Sequence, residues 1–307
     1  MKNKTELPTI SVCIPAHNEA LTIGPLLRSL LKQKTEICSL AEIIIYSDAS
    51  TDQTVERCQA LKDSRVKCIV GKKQIGQLQA IATMLRNAQG DIIVLLDADI
   101  ALYNDLTLQK LVTPLLQDPQ VGLVGGNPIP TPPHTFIEAT VQTSINAYKE
   151  IAAHTRGGSN PYNCHGCILA LSAAFAKTIE FPKEIFSGDT YLYFSCLHQH
   201  YHFQYAPEAK VLYRVPNNLK DVIKQYTRFL DIDSYSQKKF GSLLAREYAV
   251  DTKIRLHYLL AAFISQPLHT CAMYVIKVYC QLHQQPANAS GIWEAASSTK
   301  QEITYEF

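Results

Sequence analysis

The sequence lacks an excess of charge of either sign. Its 307 residues include 29 Lys and Arg against 27 Asp and Glu, which gives a formal net charge of +2 at pH 7. A nucleic-acid-binding protein normally shows a basic excess, so the overall charge gives no support to a nucleic-acid partner. Because hydrophobic residues make up 47% of the chain, the sequence instead predicts a globular protein with a sizeable core.

The sequence also lacks an uninterrupted run of about 20 apolar residues, the length that a membrane-spanning helix needs. The N-terminal MKNKTELPTISVCIP has no apolar stretch of signal-peptide type, so we expect a cytoplasmic protein. Segment 258–282 comes nearest to span length, but Pro267, His269 and Lys277 interrupt it. Basic residues outnumber acidic ones just before it, which favours peripheral contact of 214–282 with a membrane surface. Burial of the segment against the main domain is an equally good interpretation.

A disulfide framework is missing too. The nine cysteines are an odd number and are scattered through apolar stretches, as expected of reduced thiols in a cytosolic protein. The stretch Cys164-His165-Gly166-Cys167 has the form of half a zinc site, but no second Cys/His pair follows at matching spacing. We therefore expect no structural zinc there.

The sequence does contain an alternation of short β-branched runs with helical patterns. Strands are predicted at 10–14, 42–47, 66–70 and 91–96, each apolar nearly throughout, as in parallel strands buried on both faces. Stripes of leucine and isoleucine at helical spacing lie between them, and the run STDQ at 50–53 has the form of a capping box. This order predicts a doubly wound α/β sheet with helices on both faces.

The alternation of strand and helix patterns ends after Pro119, where VGLVGGNPIPTPP is rich in turn residues. We predict a catalytic domain at 1–216, with a nucleotide-binding half at about 8–127 and an acceptor half at about 128–216. A helical C-terminal region follows at 217–307. The polar tail from Ala287 is expected to be loose.

Acidic and polar side chains follow three of the predicted strands: residues 17–19 (HNE), Asp48, and the pair Asp97 and Asp99. Ligands of open parallel sheets bind beyond the carboxyl ends of the strands, so these clusters are expected to meet at one edge. If the strand geometry continues through them, Asp97 and Asp99 face the same way, and two such close negative charges favour a divalent cation, Mn²⁺ or Mg²⁺. The alternative is a strand-end turn in which one aspartate caps a helix and the other is solvated.

Five short motifs follow one another along the chain, namely PAHNEALTI, YSDASTDQTVE, GDIIVLLDADI, SGDTYL and KQYTRF. In this order and approximate spacing, over about residues 8–232, they resemble the family-2 glycosyltransferases. The last two look like the ED and Q-x-x-R-W elements of the branches that make polysaccharides or glycosylate lipids. The resemblance implies a GT-A fold, that is, a Rossmann-like mixed sheet with helices on both faces, followed here by a helical C-terminal part.

By this resemblance, residues from several strand ends and from one C-terminal helix would bind the nucleotide-sugar: Pro15, Ala16, Glu19, Asp48, Gln77, Asp97 and Arg228. Asp99, together with Asp97, would ligate the metal ion on the diphosphate. Asp189 would be the general base that removes the proton of the acceptor hydroxyl. The acceptor side would include Gly166, Gln225 and Phe229.

Three positions depart from the family pattern. Gln77 stands where a lysine is common and cannot neutralise a phosphate, so Lys72 and Lys73 are candidates for the missing charge. Gly188 stands where the acid of the ED element is usual. Phe229 replaces the usual tryptophan, which keeps a stacking face but loses the indole N–H.

These observations predict a metal-dependent, inverting glycosyltransferase of hexosyltransferase type. It would move a sugar from a UDP-sugar to a hydroxyl of a saccharide or lipid-linked acceptor. One alternative is a nucleotide-binding pseudoenzyme or scaffold, which Gln77 and Gly188 would suit. Another is a D-x-D phosphatase, but that class requires the motif on the first strand and Thr or Val at the position of Ala101, and this sequence meets neither requirement.

Overall fold

The fold is described from a computed structural model that covers residues 7–182, 185, 187–230, 234–283 and 297–303, without the side chains of 228–230, 234 and 297. Its centre is one mixed sheet. The eight strands of this sheet are β1 (Thr9–Ala16), β2 (Ser39–Ser47), β3 (Val66–Val70), β4 (Ile92–Leu96), β5 (Ile100–Leu102), β6 (Val121–Pro130), β7 (Ile168–Ser172) and β8 (His202–Tyr213).

The strands lie in the order β3-β2-β1-β4-β7-β6-β8-β5 across the sheet. β1 pairs in parallel with both β2 and β4, and β2 pairs in parallel with β3. The carboxyl ends of these four strands therefore meet at one edge of the sheet. β7 is antiparallel to both β4 and β6 and begins the second half. The predicted mixed α/β sheet is confirmed.

β4 is the central strand that its apolar sequence predicts. None of its residues is more than 3% exposed. Ile92, Val94 and Leu96 pack into the core on one face of the sheet, whereas Ile93 and Leu95 pack into the core on the other. Because both faces are buried and both neighbours are hydrogen-bonded, β4 holds the residues that follow it in a fixed position.

Helices cover both faces of the sheet and form the C-terminal region. The helices of the described residues are α1 (Ile23–Leu31), α2 (Thr54–Gln59), α3 (Gln77–Asn87), α4 (Thr107–Gln117), α5 (Phe136–Ala153), α6 (Ala173–Ala176), α7 (Gly188–His198), α8 (Leu219–Leu230), α9 (Ser234–Glu247), α10 (Thr252–Ser265) and α11 (Pro267–Leu282). α1 to α4 lie where the leucine and isoleucine stripes predict them.

The capping box predicted at 50–53 is wrong. The Ser50 hydroxyl instead accepts from the Asn18 N–H at 3.1 Å and from the Ser47 hydroxyl at 2.9 Å. α2 begins at Thr54, and the Asp52 carboxylate accepts from the Thr54 N–H at 3.0 Å. Asp52 therefore stabilises the start of this helix in place of Ser50.

The turn-rich interpretation of VGLVGGNPIP is also wrong, because this run forms β6 inside the sheet. Its glycines allow close packing. A Cβ added at Gly125 would lie 2.4 Å from the Asn163 carbonyl oxygen, and one at Gly126 would lie 2.6 Å from Cδ1 of Ile168. The strand also shifts register against β8 between Gly125 and Asn127. These glycines are therefore explained by close tertiary packing and not by a turn.

The C-terminal helices pack beside the sheet. α8 and α11 share a small core with α5, whereas α10 contains no buried residue although it contacts α5 and α11. Of the helices in the described ranges, none is both long enough and apolar enough to cross a membrane. The division of the chain at residue 216 stays a prediction.

Candidate active site

The loop between β1 and α1 forms one side of the candidate site. Glu19 in this loop is 8% exposed. Its N–H donates to the Thr54 hydroxyl at 2.8 Å, and its carboxylate accepts from the Thr22 hydroxyl at 3.0 Å. Burial raises the pKa of Glu19 to about 7, which Lys300 opposes and Asp99 reinforces. Glu19 is therefore a buried carboxyl whose charge depends on a nearby cation.

Asp48 organises the loop that leads into α3. It is 4% exposed, and its two carboxylate oxygens accept from the N–H groups of Ile75, at 2.7 Å, and Gly76, at 2.8 Å. Gly76 has a φ of 86°, which favours glycine, and immediately precedes α3. The Asp48 N–H donates to the carbonyl oxygen of Ala16 at 2.8 Å, next to Pro15. Each carboxylate oxygen keeps a second lone pair that could accept from a ligand, and the role of Asp48 in binding the nucleotide-sugar stays a prediction.

Asp97 and Asp99 follow β4 at the same edge. Burial raises the pKa of Asp97 to about 8, and repulsion from Asp99, Asp189 and Glu19 adds to this shift. Burial also raises the pKa of Asp99. Gln77, the first residue of α3, donates from Nε2 to Oδ1 of Asp97 at 2.9 Å. The structure therefore brings the carboxyl groups of Glu19, Asp99 and Asp189 close enough to Asp97 to raise its pKa.

Asp97 and Asp99 can supply only part of the ligand set of a divalent cation. Carboxylates are the ligands that Mn²⁺ and Mg²⁺ prefer, and a cation would offset the repulsion that favours a protonated Asp97. Within the described part of the chain, no three His, Cys, Asp or Glu side chains are grouped as a complete metal site. A cation at Asp97 and Asp99 would need further oxygen ligands, which water and phosphate groups can supply. Their role as metal ligands stays a prediction.

Asp189 lies in the first turn of α7. Its Oδ1 accepts from the Ser187 hydroxyl at 2.6 Å and from the Thr190 N–H at 2.7 Å. Among the described residues, its Oδ2 accepts one long hydrogen bond, from the N–H of Gly166, at 3.3 Å. The carboxylate is therefore held by Oδ1 while Oδ2 keeps capacity to accept a proton.

Neighbouring loops fix Asp189 against the rest of the site. The N–H of Asp97 donates to the carbonyl oxygen of Cys167 at 3.2 Å, which joins the 164–167 loop to the end of β4. Burial lowers the pKa of His165 to about 4, although Asp189 opposes the shift, so this histidine is neutral near pH 7.

Gly188 departs from the family pattern for a packing reason. A Cβ added there would lie 2.3 Å from Cδ2 of Leu78. The Leu78 side chain therefore occupies the space through which an acidic side chain at this position would leave the backbone.

The acceptor-side residues of α8 are only partly described. Gln225 is half-buried on this helix. The side chains of Arg228 and Phe229 lie outside the described residues, so the roles predicted for both stay predictions. α8 is nevertheless linked to the C-terminal residues 297–303, because the Asp221 carboxylate accepts from the N–H and hydroxyl of Ser298, at 3.1 and 2.6 Å.

Residues 297–303 are a part of the site that the sequence did not reveal. The Lys300 ammonium lies 2.8 Å from Oε1 of Glu19, and the Thr299 hydroxyl donates to Oδ2 of Asp99 at 3.2 Å. The expectation of a loose tail is therefore wrong for these residues. Their polar sequence carries no periodicity or motif from which this contact could be predicted.

Comparison with known proteins identifies the family. The family model described as Glycosyl transferase family 2 matches residues 11–179, more than half of the chain. The chain belongs to glycosyl transferase family 2. The match contains Glu19, Asp48, Asp97 and Asp99, whereas Asp189 and all of α8 lie beyond it. Of the acceptor-side candidates, Gly166 lies inside the matched region, whereas Gln225 and Phe229 lie outside it.

The glycosyltransferase resembles several curated proteins over part of their length. "Probable glycosyltransferase YdaM" of Bacillus subtilis (strain 168) is 23% identical over 92% of this chain and 69% of its own length. An N-acetylglucosaminyltransferase of Rhizobium meliloti (strain 1021) is 22% identical over 73% of this chain and 55% of its own. Undecaprenyl-phosphate 4-deoxy-4-formamido-L-arabinose transferase of Proteus mirabilis (strain HI4320) is 29% identical, over 33% of this chain and 32% of its own. The chain therefore spans only part of each relative.

Two solved structures share the fold of this glycosyltransferase. Mannosyltransferase PcManGT from Pyrobaculum calidifontis, in complex with GDP-Man and Mn²⁺, has a TM-score of 0.57 and 19% identity over 91% of this chain and 82% of its own. Glucosyl-3-phosphoglycerate synthase from Mycobacterium tuberculosis, in complex with Mn²⁺, UDP and phosphoglyceric acid, has a TM-score of 0.52 and 20% identity over 80% of each chain. The GT-A fold expected from the sequence is confirmed.

Proposed function

We propose that this glycosyltransferase transfers a sugar from a UDP-sugar to a hydroxyl of a saccharide or lipid-linked acceptor, with inversion and with a bound Mn²⁺ or Mg²⁺. The observation that carries the proposal is the position of Asp97 and Asp99 directly after β4, where Glu19 and Asp189 also lie close enough to raise the pKa of Asp97. Carboxylates gathered in this way favour a bound cation. Attack by an acceptor hydroxyl also needs a general base beside that cation.

The donor side of the proposed reaction is built from strand ends. Pro15, Ala16 and Asp48 frame the nucleotide pocket, where Asp48 keeps the loop before α3 in place through its two backbone hydrogen bonds. A bound divalent cation would supply positive charge to the leaving diphosphate. Asp97 and Asp99 would hold that cation, and Gln77 orients Asp97 through its amide.

The acceptor side of the proposed reaction centres on Asp189. The acceptor hydroxyl oxygen forms a bond to the anomeric carbon, while the bond from that carbon to the diphosphate oxygen breaks and its electrons leave with the nucleoside diphosphate. Oδ2 of Asp189 takes the hydroxyl proton. Attack on the face opposite the leaving group inverts the anomeric centre. Gly166 keeps Asp189 in place through its N–H, and Gln225, Arg228 and Phe229 would flank the acceptor.

Names and complexes of similar proteins support this proposal. One relative is named for N-acetylglucosaminyl transfer and another for transfer involving undecaprenyl phosphate. The two structural neighbours were solved with Mn²⁺ and with GDP-Man or UDP. These names favour a nucleotide-sugar donor and a divalent cation, and the undecaprenyl-phosphate name favours a lipid-linked molecule as a reaction partner.

A donor panel tests the proposed function. Common UDP- and GDP-sugars are incubated with the protein in Mn²⁺, in Mg²⁺ or in chelator, and released nucleoside diphosphate and melting temperature are measured. We expect one UDP-sugar to give metal-dependent release and a higher melting temperature, and NMR of the product to show an inverted anomeric centre. The proposal is wrong if no donor gives release or a thermal shift under any condition.

We also propose that α10 and α11 contact the cytoplasmic face of a membrane from its surface. Large apolar side chains of these helices are exposed, namely Leu256, Leu260, Phe263, Ile264, Leu268, Tyr274, Val275, Val278, Tyr279 and Leu282. Lys253 and Arg255 are exposed at the start of α10, which suits anionic lipid headgroups.

Vesicle flotation tests the membrane contact. The protein should float with vesicles that contain anionic lipid, and the double variant Ile264→Asp/Leu268→Asp should not, because it places charge on the apolar surface. Leu116→Asp on α4 is the matched control and should float normally. Equal flotation of the double variant and the wild type, or no flotation of the wild type, would contradict the proposal.

A further inference from the structure

Residues 297–303, which we call the C-terminal strap, lie across the acidic edge of the sheet. Nζ of Lys300 lies 2.8 Å from Oε1 of Glu19. The same ammonium group donates to the carbonyl oxygen of His17 and, at 3.4 Å, to that of Asn18. The Lys300 side chain is only 17% exposed. Its positive charge is therefore held at the edge by three oxygens.

The strap is attached on both sides of Lys300. Before it, Ser298 donates through its N–H and hydroxyl to the Asp221 carboxylate at 3.1 and 2.6 Å, and Asp221 belongs to the first turn of α8. After it, the Arg214 guanidinium donates to the carbonyl oxygen of Glu302 at 3.1 Å. These contacts do not involve the Lys300 side chain, so replacing that side chain should leave the strap in place.

The edge gathers several carboxyl groups around the ammonium group of Lys300. Glu19 and Asp99 both contact the strap, and Asp97 accepts from the neutral amide of Gln77. A nucleoside diphosphate brings further negative charge, of which a divalent cation offsets a part. A lysine ammonium has three donors that can rotate to meet phosphate oxygens, and the ammonium of Lys300 is already at this edge.

We propose that Lys300 is a donor-binding residue whose ammonium group contacts the diphosphate of the nucleotide-sugar. The inference rests on the proposed function, because it requires a nucleoside diphosphate at this edge. In the donor-free protein, Glu19 and two main-chain carbonyl oxygens hold the ammonium group. On donor binding, phosphate oxygens replace one or more of these acceptors, and the strap then links the diphosphate to α8 through Asp221.

Calorimetric titration of the full chain tests the role of Lys300. UDP, UMP and uridine, and in parallel GDP, GMP and guanosine, are titrated in Mn²⁺ into the wild type, Lys300→Ala and Lys300→Arg. Loss of a charge-assisted contact should weaken binding of the diphosphate by about 10-fold to 100-fold in Lys300→Ala. Nucleoside affinity should change by less than about twofold, and Lys300→Arg should keep most of the diphosphate affinity.

Two controls separate this role from a structural one. Lys34→Ala removes a lysine that forms an exposed ion pair with Asp105, 2.5 Å apart, and should bind all ligands like the wild type. Nucleoside binding and the melting temperature of Lys300→Ala report whether that variant is folded. If it does not fold, Lys300→Gln is titrated in its place, and the same loss confined to the diphosphate is expected.

The possible outcomes distinguish a wrong role for Lys300 from a wrong proposed function. Unchanged diphosphate affinity in a folded Lys300 variant would overturn the role of Lys300 and leave the proposed function intact. Tighter diphosphate binding by Lys300→Ala would also overturn it, because the strap would then compete with the donor. A wild type that binds no nucleoside diphosphate would overturn the proposed function and the role of Lys300 together.

Discussion

Replacing Asp48 should destabilise the protein and the donor side of the site together. Its carboxylate accepts from the N–H groups of Ile75 and Gly76 at 2.7 and 2.8 Å, and it is 4% exposed. In Asp48→Ala both donors lose their acceptor. At about 1 to 3 kcal/mol for each unsatisfied donor, the free energy of unfolding should fall by about 2 to 6 kcal/mol.

A milder change at the same position sharpens this prediction. Asp48→Asn keeps one carbonyl oxygen but turns an NH₂ group toward the second N–H, so at least one of the two hydrogen bonds is lost. The free energy of unfolding should then fall by about 1 to 3 kcal/mol. The loop also carries Gln77, which follows Gly76 directly and contacts Asp97, so nucleoside diphosphate affinity in Mn²⁺ should fall in both variants.

Urea denaturation followed by circular dichroism measures the effect of the Asp48 variants in metal-free buffer. Asp105→Ala is the matched control, because its exposed ion pair with Lys34 contributes little to stability. A free energy of unfolding for Asp48→Ala within about 0.5 kcal/mol of the wild type would refute the reasoning, since that is the range of ordinary surface substitutions.

Three further predictions follow from the site. Because the pKa values of Glu19 and Asp97 are raised to about 7 and about 8, the metal-free folded protein binds protons that the unfolded chain has released. Its melting temperature should therefore fall as the pH rises from about 5 to 8, and Mn²⁺ should raise it most at high pH. An equal Mn²⁺ effect across this range would contradict the shifts. Asp189→Asn should lower kcat at least about 100-fold in a transfer assay while donor affinity stays within about twofold. Unchanged kcat would point to another base. Gly188→Ala should cost about 1 kcal/mol in urea denaturation, because its Cβ displaces the end of the Leu78 side chain, and a double-mutant cycle with Leu78→Ala should show coupling between the two positions. No coupling would refute the steric explanation.

The sequence was most informative where local pattern and tertiary environment agree. β4 is apolar throughout because both of its faces are buried, so the sequence alone predicts a central strand and a pair of aspartates, Asp97 and Asp99, at its end. Parallel pairing of β1, β2 and β4 then brings Glu19 and Asp48 to the same edge. The donor side of the candidate site could be predicted in this way.

The sequence misled where long-range packing decides the structure. In the sequence alone, the glycines of β6 indicate a turn. In the structure, Asn163 and Ile168 approach Gly125 and Gly126 so closely that a Cβ at either position would clash. Lys300 contacts Glu19, which lies near the opposite end of the sequence, and no local pattern in the polar tail predicts that contact. Both features depend on which distant segments meet, and a single sequence does not contain this information in local form.

We propose that the acidic edge holds a divalent cation and, through it, the diphosphate of the donor. Calorimetric titration of Mn²⁺ together with UDP and with GDP, into the wild type and Asp99→Ala, measures this binding. We expect the wild type to bind a nucleoside diphosphate only with the metal. Asp99→Ala should lose this metal dependence and affinity while its urea denaturation stays cooperative. Metal-dependent binding by Asp99→Ala that equals the wild type would contradict the claim.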